Sequence, residues 1–337
     1  VIVTLSATGD VTIGGDTRKR GQSIFDKQLA QEPLGLDFPL SNVKSIFEAD
    51  DLTLVNFEGT LTDTKSATKN TDSFAAPPEY VQVLTSASVE AVSLENNHVM
   101  DHGEEVYLET QQHLTDAGIV WSNAENIGEY TVKGVRIAML SYQTFNLYDK
   151  LFTQVPLDIA EAKEKYDLVI VSFHWGAEKD YAPNANQQKM GKLAIDAGAD
   201  LVIMHHPHVV QGMDIYKNRT ICYSLGNFAF GGNASVKAIE TVVVDAALTF
   251  DDDGTYLGQQ LTLYPANISG TYPQNNFQPI LVSGDAAQAV MKLIQLDTPY
   301  ELAPYTDEAG CAQQPYLPAK DGGMEPVSIE EFSVEDD

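Results

Sequence analysis

The stretch Ala199-Asp200-Leu201-Val202-Ile203-Met204-His205-His206-Pro207-His208-Val209-Val210 decides how the rest of the chain is read. A short apolar run that ends abruptly in polar residues has the pattern of a strand buried on both faces. Three of the chain's seven histidines stand where this strand empties. Imidazole is the commonest protein metal ligand, and the rigid Pro207 fixes how the rings on either side of it diverge.

The same grammar recurs upstream. Val1 to Ala7 stops at Gly9-Asp10, and Asp51 to Val55 runs into Asn56-Phe57-Glu58-Gly59. Val89 to Leu94 is followed by Glu95-Asn96-Asn97-His98, and Leu168 to Phe173 by His174-Trp175-Gly176. Helical patterns fall between these strands, at Leu40 to Ala49, Pro78 to Ala87, Glu104 to Ala117 and Asn186 to Ala197. Pro78 suits a helix start, and Gly118 and Gly198 suit helix stops. Alternating strands and helices predict an α/β fold with largely parallel strands, and ligands gather beyond the carboxyl ends of such strands.

After Met204 the pattern changes to hairpins. Val209 to Tyr216 and Thr220 to Ser224 flank a Lys217-Asn218-Arg219 turn, and Ala238 to Phe250 and Tyr256 to Tyr264 flank Asp251-Asp252-Asp253-Gly254. The acidic turn lacks the later ligands of a calcium loop and reads as a turn only. A last helix is expected over Ser283 to Leu296 with Ser283 as its cap. The domain is therefore expected over residues 1–296. Residues 297–337, with eleven acidic residues against one Lys, read as an irregular tail that wraps the domain or leaves it.

Composition narrows the partners. Forty-eight acidic residues against twenty basic give a formal charge of -28, which excludes nucleic acid as a general partner. A polyanionic substrate then needs a local cation, from a metal or from the basic cluster Arg18-Lys19-Arg20. No apolar run is long enough to cross a bilayer. Because Val1 is not a natural start, a leader or anchor is expected upstream, which places the protein outside the cell and attached to its surface. Cys222 and Cys311 allow one disulfide without demanding it.

Five strand ends thus carry potential ligands: Asp10, Glu58, Asn97 with His98, His174, and His206 with His208. Any one of them is well explained as a cap or a turn; the set points to a centre. Oxygen and imidazole donors without nearby Cys suit one or two divalent ions of manganese, iron or zinc. Glu58, between the two clusters in chain order, is placed to bridge a metal pair. His98 is either a ligand or a proton donor to the leaving group. Asp101 either orients the His98 ring or caps the helix that follows Gly103.

These segments, together with Glu178 and with Tyr223-Ser224-Leu225-Gly226-Asn227-Phe228, resemble the CapA family of poly-γ-glutamate (capsule) biosynthesis proteins over residues 4–250. That family is related to the calcineurin-like metallophosphoesterases. The resemblance implies a four-layer α/β/β/α sandwich with mixed sheets and a two-metal centre. It implies Asp10, Glu58, Asn97, His174, His206 and His208 as ligands and His98 as the acid. His205, Glu178, Asn227 and Asn56 are further residues expected to meet substrate or steady the ligands. The implied substrate is an anionic cell-surface polymer or its precursor, handled by a hydrolase or transferase. The other reading is a non-catalytic accessory to a membrane synthase or export complex. Two departures stand out: Asp10-Val11-Thr12 lacks the imidazole found two residues after the first aspartate in phosphoesterases, and Asn56-Phe57-Glu58 replaces their Gly-Asp-x-x-Asp bridge.

Overall fold

A computed structural model describes residues 1–16, 23–64, 72–144 and 148–319. Its main strands are β1 (Ile2–Thr12), β2 (Leu52–Phe57), β3 (Ala91–Ser93), β4 (Val120–Ser122), β5 (Gly128–Val132), β6 (Val135–Gln143) and β7 (Leu168–His174). They continue with β8 (Leu201–His205), β9 (Met213–Tyr216), β10 (Arg219–Cys222), β11 (Asn227–Phe230), β12 (Glu240–Phe250) and β13 (Tyr256–Asn267). The longer helices are α1 (Glu104–Asp116), α2 (Tyr148–Lys165), α3 (Ala185–Asp196) and α4 (Gly284–Leu296).

Two mixed sheets form. The first runs β13-β12-β1-β2-β3-β4, with β11 also pairing β1, and the second runs β9-β10-β8-β7-β6-β5. β1, β2, β3 and β4 are parallel, as are β6, β7, β8 and β10, so both sets of carboxyl ends lie where loops can converge. Alternation along each strand divides the apolar side chains between two faces. Leu5, Leu54 and Val244 of the first sheet and Ile137, Ile170 and Ile203 of the second share one buried core. The opposite faces bury against helices: Val55, Val92 and Leu114 of α1 on one side, and Val169, Val202, Val155 of α2 and Ile195 of α3 on the other. The result is the expected four layers, helix, sheet, sheet and helix. Strands β7 and β8 read as unbroken apolar runs because both their faces are covered.

Several local readings change. Within Leu40 to Ala49 only Lys44–Phe47 is α-helical, and Pro78 to Ala87 opens as a 3-10 turn before Gln82–Thr85. Ser283 precedes α4, but its side chain makes no capping hydrogen bond. Strands β4 to β6 and helix α2 had no counterpart in the sequence reading. The β5–β6 turn is Lys133-Gly134, both at positive φ and a weaker turn signal than Asn-Gly, and α2 carries Pro156 inside it. Cys222 and Cys311 are both free thiols. Residues 297–319 add Ala312–Gln313 and Leu317–Pro318 to the edge of β13 and bury Leu302, Tyr305 and Ala312. Arg18-Lys19-Arg20 and residues 320–337 lie outside the described residues.

Candidate metal centre

The seam between the two sheets collects the predicted strand ends, and each sheet brings different chemistry. From the first sheet, Asp10 stands beside Asn56 of β2 and Asn227 of β11 in the strand register. Its backbone N–H donates to Gly226 O at 2.9 Å. Only glycine fits at position 9, because a Cβ there would lie 2.0 Å from the Gly226 carbonyl oxygen. Asn56 Nδ2 donates to Asp10 Oδ1 at 2.9 Å and lies 3.3 Å from His174 Nδ1, tying one sheet to the other. Asn96 Nδ2 in turn donates to Phe57 O at 2.8 Å and lies 3.3 Å from Asn56 Oδ1.

The second sheet supplies imidazoles. His174 and His205 are partners across β7 and β8. Beyond β8 the backbone is forced into positive φ, +97° at His206 and +58° at His208. Such conformations are unfavourable for side chains with a Cβ and persist where the surroundings demand them, commonly at functional sites. Here they turn both rings inward. His206 Nδ1 lies 3.1 Å from His174 Nε2, whose other neighbour is Asn97 Oδ1 at 2.8 Å. His208 Nδ1 sits 3.1 Å from Asp10 Oδ2 and 2.9 Å from Asn227 Oδ1. His205 Nδ1 lies 3.4 Å from Asp10 Oδ1, so the first-strand carboxylate is flanked by two rings from the far sheet.

Glu58 occupies the middle. It is fully buried, and neither carboxylate oxygen has a hydrogen-bond partner. Nε2 atoms of His98, His208 and His174 stand 3.7, 3.9 and 4.0 Å from its Oε1. Its backbone is clamped: its N–H donates to Val11 O at 2.8 Å and its carbonyl accepts from Thr12 Oγ1 at 2.8 Å. Thr12, at the position where a phosphoesterase has an imidazole, therefore fixes the backbone of Glu58.

The field in this pocket is steep. Burial pushes the Glu58 carboxyl up to about 7, opposed by the charge of His208 and reinforced by Asp10. Burial alone would raise Asp10 too, but the His205 and His208 rings beside it hold it well below the usual carboxylate range. Burial and repulsion from neighbouring rings lower His174 well below its ordinary value and bring His206 to about 4. His208 loses less to burial than it gains from Glu58 and Asp10, and rises to about 10.

His98 and Asp101 form a pair of their own. The ring Nδ1 is 2.7 Å from Asp101 Oδ2, which also accepts the Phe74 N–H at 3.0 Å. The Phe74 ring packs on His98 with centroids 4.4 Å apart. The N-cap of α1 is Gly103, not Asp101, so of the two roles read for Asp101 the ring contact is the one found and the cap is not. Asn227 meets His208, as described, whereas Glu178 is half-exposed and contacts Lys179 at 3.8 Å rather than the cluster. Thr12, Asn96 and Phe74 were not singled out from sequence. The first two lie inside the strand-end motifs, while nothing near Phe74 in sequence connects it to His98.

Ligand atoms of Asp10, Glu58 and His174 all lie within 4.8 Å of one another, and all three residues are buried. An isolated buried carboxylate without partners is costly, and a proton or a cation relieves that cost. The donor set therefore fits a divalent metal.

The model of the bacterial capsule synthesis protein family PGA_cap matches residues 4–232, a span that contains every one of these site residues. The chain belongs to this family. It is 30% identical over 300 residues to the capsule biosynthesis protein CapA of Bacillus anthracis, covering 81% of this chain and 69% of that one. Identity is 31% over 252 residues to the PGA biosynthesis protein CapA of Bacillus subtilis, across 68% of this chain and 63% of the relative. A probable polyglutamine synthesis accessory protein of Mycobacterium tuberculosis is 26% identical over 61% of this chain and 65% of its own length. The chain thus spans about two thirds of the length of these relatives. The family is one of bacterial capsule synthesis proteins.

Proposed function

We propose that this capsule-family protein is a metal-dependent hydrolase or transferase that acts on an anionic cell-surface polymer, with an amide or phosphoester as the bond attacked. The observation that carries the reading is Glu58, a fully buried carboxylate with both oxygens unpartnered in a ring of imidazoles. Asp10, Glu58 and His174 would hold the metal, with Asn97, His206 and His208 as further donors. A manganese, iron or zinc ion bound there supplies Lewis acidity and a hydroxide nucleophile near neutral pH.

The chain's own groups do the rest. Asp101 orients His98 through Nδ1, which leaves Nε2 facing Glu58 and able to deliver a proton to a leaving group. The Phe74 ring shields that contact from water on one side. Asn56 and Asn227 hold Asp10 and His208 in place, and His205 steadies Asp10. A location at the cell surface belongs to the same proposal.

Position 12 favours a second reading, in which the site binds chains without cleaving them and serves a membrane synthase or export complex. Thr12 there donates to a backbone carbonyl and is no imidazole ligand. Metal titration and turnover on a γ-linked glutamate oligomer and on a generic phosphodiester separate the two readings. His206→Ala is expected to weaken manganese binding by about 10–100-fold. His98→Gln should keep the metal and lose about 10²–10⁴-fold in turnover. If His206→Ala changes neither metal content nor turnover, the centre is not what we propose; tight metal with no turnover dependent on His98 supports the accessory role.

A further inference from the structure

Beside the metal centre opens a cleft of about 330 Å³ to which His208 and Asn227 contribute. That is within the range of about 300–1,000 Å³ typical of small-ligand sites. Its lining also includes Lys179, Lys237, Tyr181 and Ser235. The chain has 48 acidic residues against 20 basic, yet none of the eleven lining residues is Asp or Glu. A cleft lined by cationic side chains on an otherwise acidic chain concentrates anions.

Backbone hydrogen bonds hold Lys179 itself and the residue before Lys237. Lys179 is at φ +64°, and its N–H donates to Pro207 O at 2.8 Å, so it rides on the loop that presents His206 and His208. Lys237 follows the buried Val236, whose N–H donates to Pro273 O at 3.0 Å. The one competing contact at Lys179, 3.8 Å from Glu178, is an exposed pair of little strength. Glu240 acts on Tyr181 from outside the lining.

We propose that this cleft seats a carboxylate-bearing stretch of the polymer next to the unit that reaches the metal centre, with Lys179 and Lys237 each taking one carboxylate. The assignment rests on the polymer reading above. Ammonium groups are compact point charges on flexible stems, which suits them to carboxylates spaced along a flexible chain.

Calorimetric titration of the manganese-loaded protein tests it, with three probes: a γ-linked glutamate pentamer, the same pentamer with its carboxylates amidated, and an oligo(glycerol phosphate). The Lys179→Gln, Lys237→Gln double variant is expected to bind the glutamate pentamer about tenfold more weakly than the parent. Its manganese affinity, its Tm and its weak binding of the amidated pentamer should not move. Equal pentamer binding by parent and double variant overturns the cleft, as does a parent that binds none of the probes or prefers the phosphate oligomer. Manganese affinity reads the metal centre separately: if the parent binds no manganese, the functional reading fails, and if manganese binds without lysine dependence, only the cleft does.

Discussion

Two carboxylates, Asp200 at the start of β8 and Glu58 just past the end of β2, are equally buried and treated in opposite ways. Asp200 receives Lys163 Nζ at 2.6 Å, the Val169 N–H at 2.9 Å and Arg219 Nε at 3.3 Å. Both Asp200 oxygens have donors, and the group joins β7, β8, β10 and α2. Glu58 has its backbone clamped and its carboxylate left without a donor. Burial therefore says little about function. What distinguishes the two sites is whether the protein supplies the partner itself or leaves the place open.

That contrast can be broken. Asp200→Asn should destabilise the fold by about 3 kcal/mol, because it strands the Lys163 and Arg219 charges, while manganese affinity of the folded protein stays within twofold. Urea unfolding and metal titration on the same sample check both halves. Glu58→Gln should do the reverse: manganese binding falls by about 100-fold, and the metal-free Tm stays level or rises because an unpaired buried charge is gone. A Tm drop as large as that of Asp200→Asn would erase the distinction.

A smaller effect sharpens it at a third carboxylate. Burial raises Asp245 on β12 from 3.8 to about 6, against a hydrogen bond from Ser6. Between those values the native chain keeps a proton that the unfolded chain has released, so stability falls as pH rises through the window. Asp245→Asn removes that loss. Because the group is partly exposed, the gain above pH 6 should be only about 1 kcal/mol, and it should vanish near pH 4. Thermal melts of both proteins at pH 4 and pH 7 give the comparison, and equal differences at the two values would refute it.

Much of the centre was legible because the α/β pattern puts loops at strand ends, and Asp10, Glu58, Asn97, His174, His206 and His208 all follow apolar runs. Asp101 stayed ambiguous: three residues from His98 and two before Gly103, it suits a ring contact and a cap equally, and only the backbone at Gly103 separates them. Helix α2 was hidden by Pro156, since a proline ordinarily marks a helix end, while tertiary packing of Leu151, Val155 and Ile159 on the second sheet keeps this one intact. Glu178, four residues after His174, keeps its side chain half-exposed and reaches Glu58 and His206 through its charge rather than by contact.

Residue order alone dictated the strands that carry the site, their α/β alternation and the kinds of donor at each strand end, because period and composition are local properties of the chain. Pairing those donors was left to the packed structure. The meeting of first-sheet carboxylates with second-sheet imidazoles, the Phe74 ring against His98 and the lysines flanking His208 all depend on the seam between two sheets. Contacts across that seam join residues as much as 198 positions apart, as between Asp10 and His208, and no sequence spacing encodes them.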